Sequence, residues 1–418
     1  MMSPRRVVIT GVGVLAPNGN NLESFWKNSL EGRSGVRLIG PERFDVSAYS
    51  TRFAGQLDGF DPNNHFPSPK EARRCDRYTQ MAVAATREAW NQSGLTEADY
   101  NPNRSGVLVG SGIGGLKSLE DNHTQLIEKG PSRISPFMIP MMITNIASGL
   151  ISMEYNFRGP NYAIVTACAT STMCLGEAFN LIRWGEADLF ISGGSEAAVV
   201  PLGVGGFGAM KAISTRNDDP AAASRPFDRD RDGFVLGEGA GIMIVEELEH
   251  ARKRGAQILA EIVGYAATAD AYHMTSPSPE GEGAARAMQR ALDVAGLNPD
   301  QVDYINAHGT STPQGDICET KAIKSVLGNH AKKVWVSSTK SMIGHLLGAA
   351  GSVEMAACVQ ALRTGDVPPT INLAQADEQC DLDYVANTAR HGEIKVVMNN
   401  SFGFGGHNAC VVAQQFTS

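Results

Sequence analysis

The chain has 418 residues, 42% of them apolar and 19% charged, and a formal net charge of −8 at pH 7. That length can bury a large core, in two or three domains or in one duplicated fold. The composition excludes a disordered or fibrous protein, and the acidic balance argues against broad binding to nucleic acid or an anionic membrane.

Taken in chain order, a strand-like run at Arg6 to Thr10 follows directly on Met1-Met2-Ser3-Pro4-Arg5. No apolar signal segment or transit tract precedes it, so a cytoplasmic protein is expected. Gly11-Val12-Gly13-Val14-Leu15-Ala16 then matches the dinucleotide fingerprint, but Pro17-Asn18-Gly19-Asn20 breaks the helix that the fingerprint requires. A basic cluster, Lys70, Arg73, Arg74 and Arg77, leads into a helical pattern at Thr79 to Ser93 and reads by default as a solvated face. The strand Gly106 to Val109 ends in Gly110-Ser111-Gly112-Ile113-Gly114-Gly115, a second fingerprint. Neither one is followed by a strand ending in an acid, so a nicotinamide oxidoreductase is a remote reading. Arg133, Lys211 and Arg216 lie beside other glycine-rich turns.

An apolar run, Tyr162 to Val165, ends in Thr166-Ala167-Cys168-Ala169-Thr170-Ser171, and a helical pattern covers Cys174 to Gly185. This places a thiol at a helix start. The helix dipole and free N–H groups there favour thiolate and can hold an oxyanion. A lone cysteine before a helix is more often inert and buried. After the strand Ala187 to Ser192, Gly193-Gly194-Ser195-Glu196-Ala197 lacks the closing glycine of a serine-hydrolase elbow. The strand Gly241 to Glu246 follows. The seven cysteines are scattered without CxxC spacing, which argues against disulfides and zinc and for a reducing compartment.

Further strands are expected at Ile258 to Val263, Val302 to Asn306, Val334 to Ser338 and Ile394 to Asn399, with helices at Gly283 to Ala295 and Cys318 to Leu327. Two strand ends carry reactive side chains, His308 in Ala307-His308-Gly309-Thr310-Ser311-Thr312, and Lys340 and His345 in Ser337-Ser338-Thr339-Lys340-Ser341-Met342-Ile343-Gly344-His345. The apolar stretch Gly344 to Leu362 is interrupted by Glu354 and reads as a buried helix, not a membrane span. Asn400-Ser401-Phe402-Gly403-Phe404-Gly405-Gly406-His407-Asn408 is by default a hairpin. It is long for one, which leaves open a loop whose N–H groups approach a ligand. The alternation of strands and helices predicts an α/β fold with layered sheets. A faint echo between strand ends suggests two similar halves, residues 1–255 and 256–418. A thiol, two imidazoles and a lysine at such ends suit acyl chemistry.

Together these motifs resemble the type II β-ketoacyl-acyl-carrier-protein synthases, elongating condensing enzymes of the thiolase-like superfamily. The resemblance runs from Arg5-Arg6-Val7-Val8-Ile9-Thr10-Gly11 through Pro201-Leu202-Gly203-Val204-Gly205-Gly206-Phe207-Gly208, Asp270-Ala271-Tyr272-His273-Met274-Thr275-Ser276-Pro277 and Gly344-His345-Leu346-Leu347-Gly348 to Gly405-Gly406-His407-Asn408. It implies a five-layered α-β-α-β-α duplication and a homodimer. It implies Cys168 as nucleophile, His308 and His345 completing a triad, and Lys340 and Glu354 supporting the histidines. Phe404 would be the gate, its N–H joining that of Cys168 in an oxyanion hole. Thr310 and Thr312 would meet the carrier's pantetheine arm, and Ile113 and Phe207 would line the acyl pocket. Lys70, Arg73, Arg74, Arg133 and Lys211 would face the acidic acyl carrier protein. His407 stands where some relatives have Thr.

The implied reaction is decarboxylative condensation of malonyl carrier with an acyl group on Cys168, extending medium to long fatty acids by two carbons. The substrates carry phosphopantetheine, and no cofactor, catalytic metal, nucleic acid or membrane is expected. Rival readings are a type I synthase or polyketide-type ketosynthase with the same triad, and a non-catalytic relative, which would lack the cysteine. In a plant, the plastid stroma would replace the cytoplasm.

Overall fold

Strand β1 (Val7–Leu15) is buried throughout, and its glycines make room for the helix that crosses it. A Cβ on Gly11 would sit 2.1 Å from the Ala89 carbonyl oxygen, and one on Gly13 1.9 Å from that of Ala85. That helix, α1 (Arg77–Ser93), is capped by the Asp76 side chain and stopped by Gly94 at φ 66°. It buries Tyr78, Met81, Ala82, Ala85 and Ala89. The first dinucleotide-like motif is therefore a packing motif, with both glycines inside a strand.

The computed structural model describes residues 4–417. Residues 1–3 and 418, at the ends of the two expected halves, lie outside them. After β1 come β2 (Ser105–Gly110), β3 (Asn161–Tyr162), β4 (Leu189–Glu196) and β5 (Gly239–Glu247). The second half supplies β6 (Ala260–Ala269), β7 (Tyr304–Asn306), β8 (Trp335–Ser337), β9 (Val396–Gly403) and β10 (His407–Gln414). The ladder runs β3-β2-β4-β5-β1-β6-β10-β9-β7-β8.

Both halves pair their strands alike. The first strand is antiparallel to the fifth, the fifth to the fourth, and the second runs parallel to both fourth and third. The halves join where Val7, Val8 and Ile9 pair with Ile262, Glu261 and Ala260.

Helix α2 (Thr170–Arg183) lies in the first half; α3 (Glu282–Ala295), α4 (Pro313–Leu327) and α5 (Ala350–Thr364) lie in the second. α2 and α5 touch each other and strands of both halves, so they form the middle layer. α1 covers the outer face of the first half, and α3, with α4 packed against it, covers that of the second. The result is the expected α-β-α-β-α stack. Every residue of α5 from Ala350 to Leu362 is buried, Glu354 included. The two central helices approach so closely that a Cβ on Gly351 would sit 1.8 Å from Thr172 Oγ1. Among the described residues no helix is long and apolar enough to cross a membrane.

Candidate active site

Between β3 and α2 the backbone makes one tight 3-10 turn, Ala167–Ala169. Ala167 holds φ 49°, a left-handed value that a residue with a Cβ adopts only when its surroundings fix it. The turn delivers Cys168, buried, to the wall of a cavity of about 530 Å³.

The second half brings two histidines to the same cavity. His308 follows β7; its N–H and that of Gly309 donate to the Glu319 carboxylate on α4 at 2.8 and 2.7 Å. His345 precedes α5, its N–H donating to the Val235 carbonyl at 2.6 Å. The Leu347 N–H donates to His345 Nδ1 at 3.3 Å. That bond places the ring proton on Nε2, which is buried and has no partner among the described residues. The Cys168 sulfur and one nitrogen from each imidazole lie within 4.8 Å of one another, and the two rings meet edge to face at 5.3 Å.

Burial, reinforced by the charge of Lys340, holds both imidazoles well below the ordinary histidine value. Both are therefore neutral at pH 7. Lys340 forms a buried ion pair with Glu354 on α5, whose carboxyl is raised by burial. Removing either partner would strand a charge in the interior.

The sulfur departs from the sequence expectation. Burial pushes the Cys168 thiol up to about 12, against the pull of Lys340 and of the Phe404 N–H. Desolvation of the thiolate outweighs the helix start, so the resting group is a thiol.

A thiol and two imidazoles can also hold a metal. A ligating imidazole donates its other N–H to an acceptor. Here His345 Nδ1 faces a donor, the Leu347 N–H, so Nε2 carries the proton. Lys340 lies close enough to depress both imidazoles. The donor set fits a nucleophile with two N–H donors better than a cation.

The glycine-rich turn is both things that its sequence allowed. β9 and β10 pair through to Gly403 and His407, leaving a hairpin of only Phe404-Gly405-Gly406, shorter than expected. Gly405 and Gly406 hold φ 87° and 73°. A Cβ on Gly403 would sit 3.1 Å from the Cys168 nitrogen, so this hairpin lies directly on the nucleophile turn. The Phe404 N–H reaches the sulfur.

Ile113, Phe207, Thr310, Thr312, Phe404 and Lys211 line the same cavity. The Thr310 and Thr312 hydroxyls are 3.0 Å apart. Lys70, Arg73, Arg74 and Arg133 are exposed outside it, and Arg74 stacks on Phe137 at 4.7 Å. Arg77 leaves this cluster: it turns inward and donates twice to buried Glu238, at 2.9 Å each.

Among the buried charged residues that the sequence reading did not single out, three hold the turns around the cavity. Glu319 holds the His308 turn. Arg231 donates to the Thr312 carbonyl at 3.0 Å and to Asp377 at 2.9 Å, fixing the two-threonine turn. Glu196, in the motif set aside as an incomplete hydrolase elbow, accepts four hydrogen bonds beside the cavity. The acid–base alternation Asp228-Arg229-Asp230-Arg231 was the one available signal for Arg231.

Residues 4–251 match the Beta-ketoacyl synthase, N-terminal domain, and residues 259–374 the Beta-ketoacyl synthase, C-terminal domain. The chain belongs to the beta-ketoacyl synthase family. It is 53% identical over 415 residues to 3-oxoacyl-[acyl-carrier-protein] synthase 2 of Synechocystis, covering 99% of each chain. The enzyme of the same name from Staphylococcus aureus is 51% identical over the full length of both.

Among solved structures, a type II polyketide ketosynthase in complex with its acyl-carrier protein superposes with a TM-score of 0.92 at 36% identity, covering 99% of this chain and 100% of that one. A beta-ketoacyl synthase from Burkholderia phymatum gives 0.91 at 34% identity, with the same coverage. This beta-ketoacyl synthase is thus an acyltransferase-type condensing enzyme with the thiolase-like fold.

Proposed function

We propose that the protein elongates fatty acyl chains by decarboxylative Claisen condensation, and that Cys168, His308 and His345 carry the chemistry. The observation that carries this reading is the meeting of one sulfur and two neutral imidazoles at the wall of a largely apolar cavity. Higher identity to the synthase 2 relatives than to the polyketide ketosynthase favours fatty acids over polyketides.

Cys168 sulfur attacks the acyl thioester on the carrier. The carbonyl oxygen takes up negative charge against the Cys168 and Phe404 N–H groups. The carrier thiol leaves with the cysteine proton, and the acyl group stays on sulfur. Malonyl carrier enters next, its pantetheine arm meeting Thr310 and Thr312. Loss of carbon dioxide leaves an enolate, which the N–H groups of His308 and His345 stabilise. Neutral donors suit this step because they hold the charge without protonating the carbon. The carbanion attacks the acyl carbonyl and expels the Cys168 thiolate, which recovers a proton. Lys340 and Glu354 keep the histidines neutral and in place. This sequence of steps calls for no resident cofactor or metal.

We place acidic acyl carrier protein at Lys70, Arg73, Arg74, Arg133 and Lys211. We place a second copy of the chain against the exposed apolar side chains of Met153, Tyr162 and Val165, where β3 ends the sheet as an open edge. We place the whole assembly in the cytoplasm. The boundary between the halves is put at residue 255, in the turn after the helix Leu248–Lys253.

Separating the half-reactions tests the mechanism. His308→Ala or His345→Ala is expected to slow malonyl decarboxylation about 10²- to 10³-fold, the range for a lost oxyanion donor, and acyl transfer to Cys168 far less. Equal losses in both half-reactions would remove the histidines from the enolate step.

A further inference from the structure

We propose that Glu196 is a positioning residue that holds the Ile113 wall of the cavity and thereby limits the acyl chain that Cys168 carries. This rests on the acyl-transfer reading above and extends it to chain-length selectivity.

Glu196 ends β4 and is fully buried. Its two oxygens serve two different neighbours. Oε1 accepts from Ser111 Oγ at 2.8 Å and from the Ile113 N–H at 3.1 Å. Oε2 accepts from the Gly112 N–H at 2.8 Å and the Gly348 N–H at 2.9 Å. Ser111 Oγ in turn accepts from the Gly114 N–H at 3.0 Å. The segment between β2 and the helix Leu116–Lys129 has no ladder of its own. Among the described residues its other backbone ties lie beyond Ile113: the Gly115 N–H on the Met142 carbonyl at 3.0 Å, and the Leu116 and Leu119 N–H groups on the Gly114 and Gly115 carbonyls at 2.9 and 3.1 Å. Ile113, on the cavity wall, stays where this carboxylate puts it.

The cradle demands a carboxylate. Each oxygen faces two donors, and a buried anion persists only where its lone pairs are met. A glutamine offers one accepting oxygen, and its amide nitrogen would face donors whichever way it turned. On the Oε2 side both donors are backbone N–H groups that cannot rotate away. On the Oε1 side the Ser111 hydroxyl can turn and accept. The Glu196→Gln side chain is therefore expected to keep its oxygen on Gly112 and Gly348 and to orphan the Ile113 N–H.

The two sides also differ in what they support. Gly348 adjoins Leu347, whose N–H sets the His345 tautomer. The substitution thus loosens the acyl wall and spares the histidine turn. A merely structural glutamate would weaken both together.

The test is acyl transfer to the full-length protein from hexanoyl- and myristoyl-pantetheine, with malonyl decarboxylation measured alongside. A loosened wall admits the longer chain, so Glu196→Gln is expected to raise the myristoyl-to-hexanoyl ratio of kcat/KM about tenfold, the scale on which pocket contacts discriminate chain length. Decarboxylation should fall by less than that factor. Ser111→Ala removes one donor to Oε1 and keeps the charge; it should move the ratio the same way by about threefold. An unchanged ratio, a uniform loss in all three assays or a shift toward hexanoyl overturns the proposal. If Glu196→Gln does not fold, the Ser111→Ala ratio decides alone. Failure of the underlying reading looks different: the unaltered protein would form no adduct with either donor.

Discussion

The turn Ala167-Cys168-Ala169 has a twin in Leu347-Gly348-Ala349. Each is a 3-10 turn that leads into a central helix. Ala167 holds φ 49° and Leu347 φ 47°, so the same strained backbone occurs in both halves. One twin presents a sulfur. The other presents no side chain: a Cβ on Gly348 would sit 2.4 Å from the Gly112 nitrogen and 2.7 Å from Glu196 Oε2. The scaffold is duplicated but its chemistry is not. The first half carries the nucleophile. The second, freed of one, uses its turn to orient His345 and to anchor Glu196.

The strongest way to break this comparison is to remove the sulfur. Cys168→Ala should abolish the acyl adduct seen by mass spectrometry and slow condensation by about 10⁴-fold or more, as when a covalent nucleophile is lost. The backbone turn should survive, leaving the melting temperature little changed. Residual condensation near the native rate would mean that the twins do not differ in the way described.

A change of pH separates the helix-start field, which the twins share, from burial, which acts on the sulfur. With the thiol pushed up to about 12, the thiolate fraction at neutral pH is small. Alkylation of Cys168 by iodoacetamide should then rise about tenfold per unit from pH 6.5 to 9 without a plateau. A plateau near pH 8 would mean that the helix start prevails over burial. Both imidazoles are held below the ordinary value, so the unfolded chain takes up protons first as pH falls through about 6.5. Their contribution to stability is therefore present above that pH and lost below it, while decarboxylation should stay flat from pH 6.5 to 9.

Much of this was legible in the sequence, because strand ends are. Cys168, His308, Lys340 and His345 each stand just past an apolar run. In a duplicated sheet such ends converge, which is how residues in opposite halves meet. What could not be read depends on distant partners. Arg77 looks like one more surface cation until Glu238, 161 residues away, claims it. The thiol's preference for its proton follows from how deeply the finished fold buries it, which no local pattern records. Glu196 was visible only as part of a failed motif, since its four donors come from two separate turns. The opening Gly-x-Gly matched a fingerprint that its context already ruled out, because a helix lying on a strand and a helix following one both need glycine.

Giving the second twin a side chain sharpens the comparison at smaller cost. Gly348→Ala should lower stability by about 1–3 kcal/mol, the usual penalty for overpacking a filled site, and the melting temperature by several degrees. Because Gly348 and Leu347 share one turn, decarboxylation should fall more than acyl transfer. A variant as stable as the parent would mean that the turn can relax and that the missing Cβ is incidental.

The smallest effect concerns the outer surface, where the halves differ again. Lys70, Arg73, Arg74, Arg133 and Lys211 all belong to the first half and are exposed. Most exposed lysines of the second half are already committed, Lys324 and Lys332 to Asp381 and Lys395 to Glu393, and Lys333 stands apart from any cluster. A paired cation offers little field to an incoming acidic protein, whereas an unpaired cluster steers it. Neutralising Lys70, Arg73 and Arg74 together to Gln should raise KM for carrier-borne substrates about fivefold at low salt, with kcat and pantetheine-only substrates little affected. Lys324→Gln with Lys332→Gln should leave both constants near those of the parent. The difference between the two variants should shrink in 0.5 M salt, where the Debye length falls to a few ångström. If the second-half variant raised KM as much as the first, carrier attraction would follow net charge alone and the unpaired cluster would return to being a solvated face.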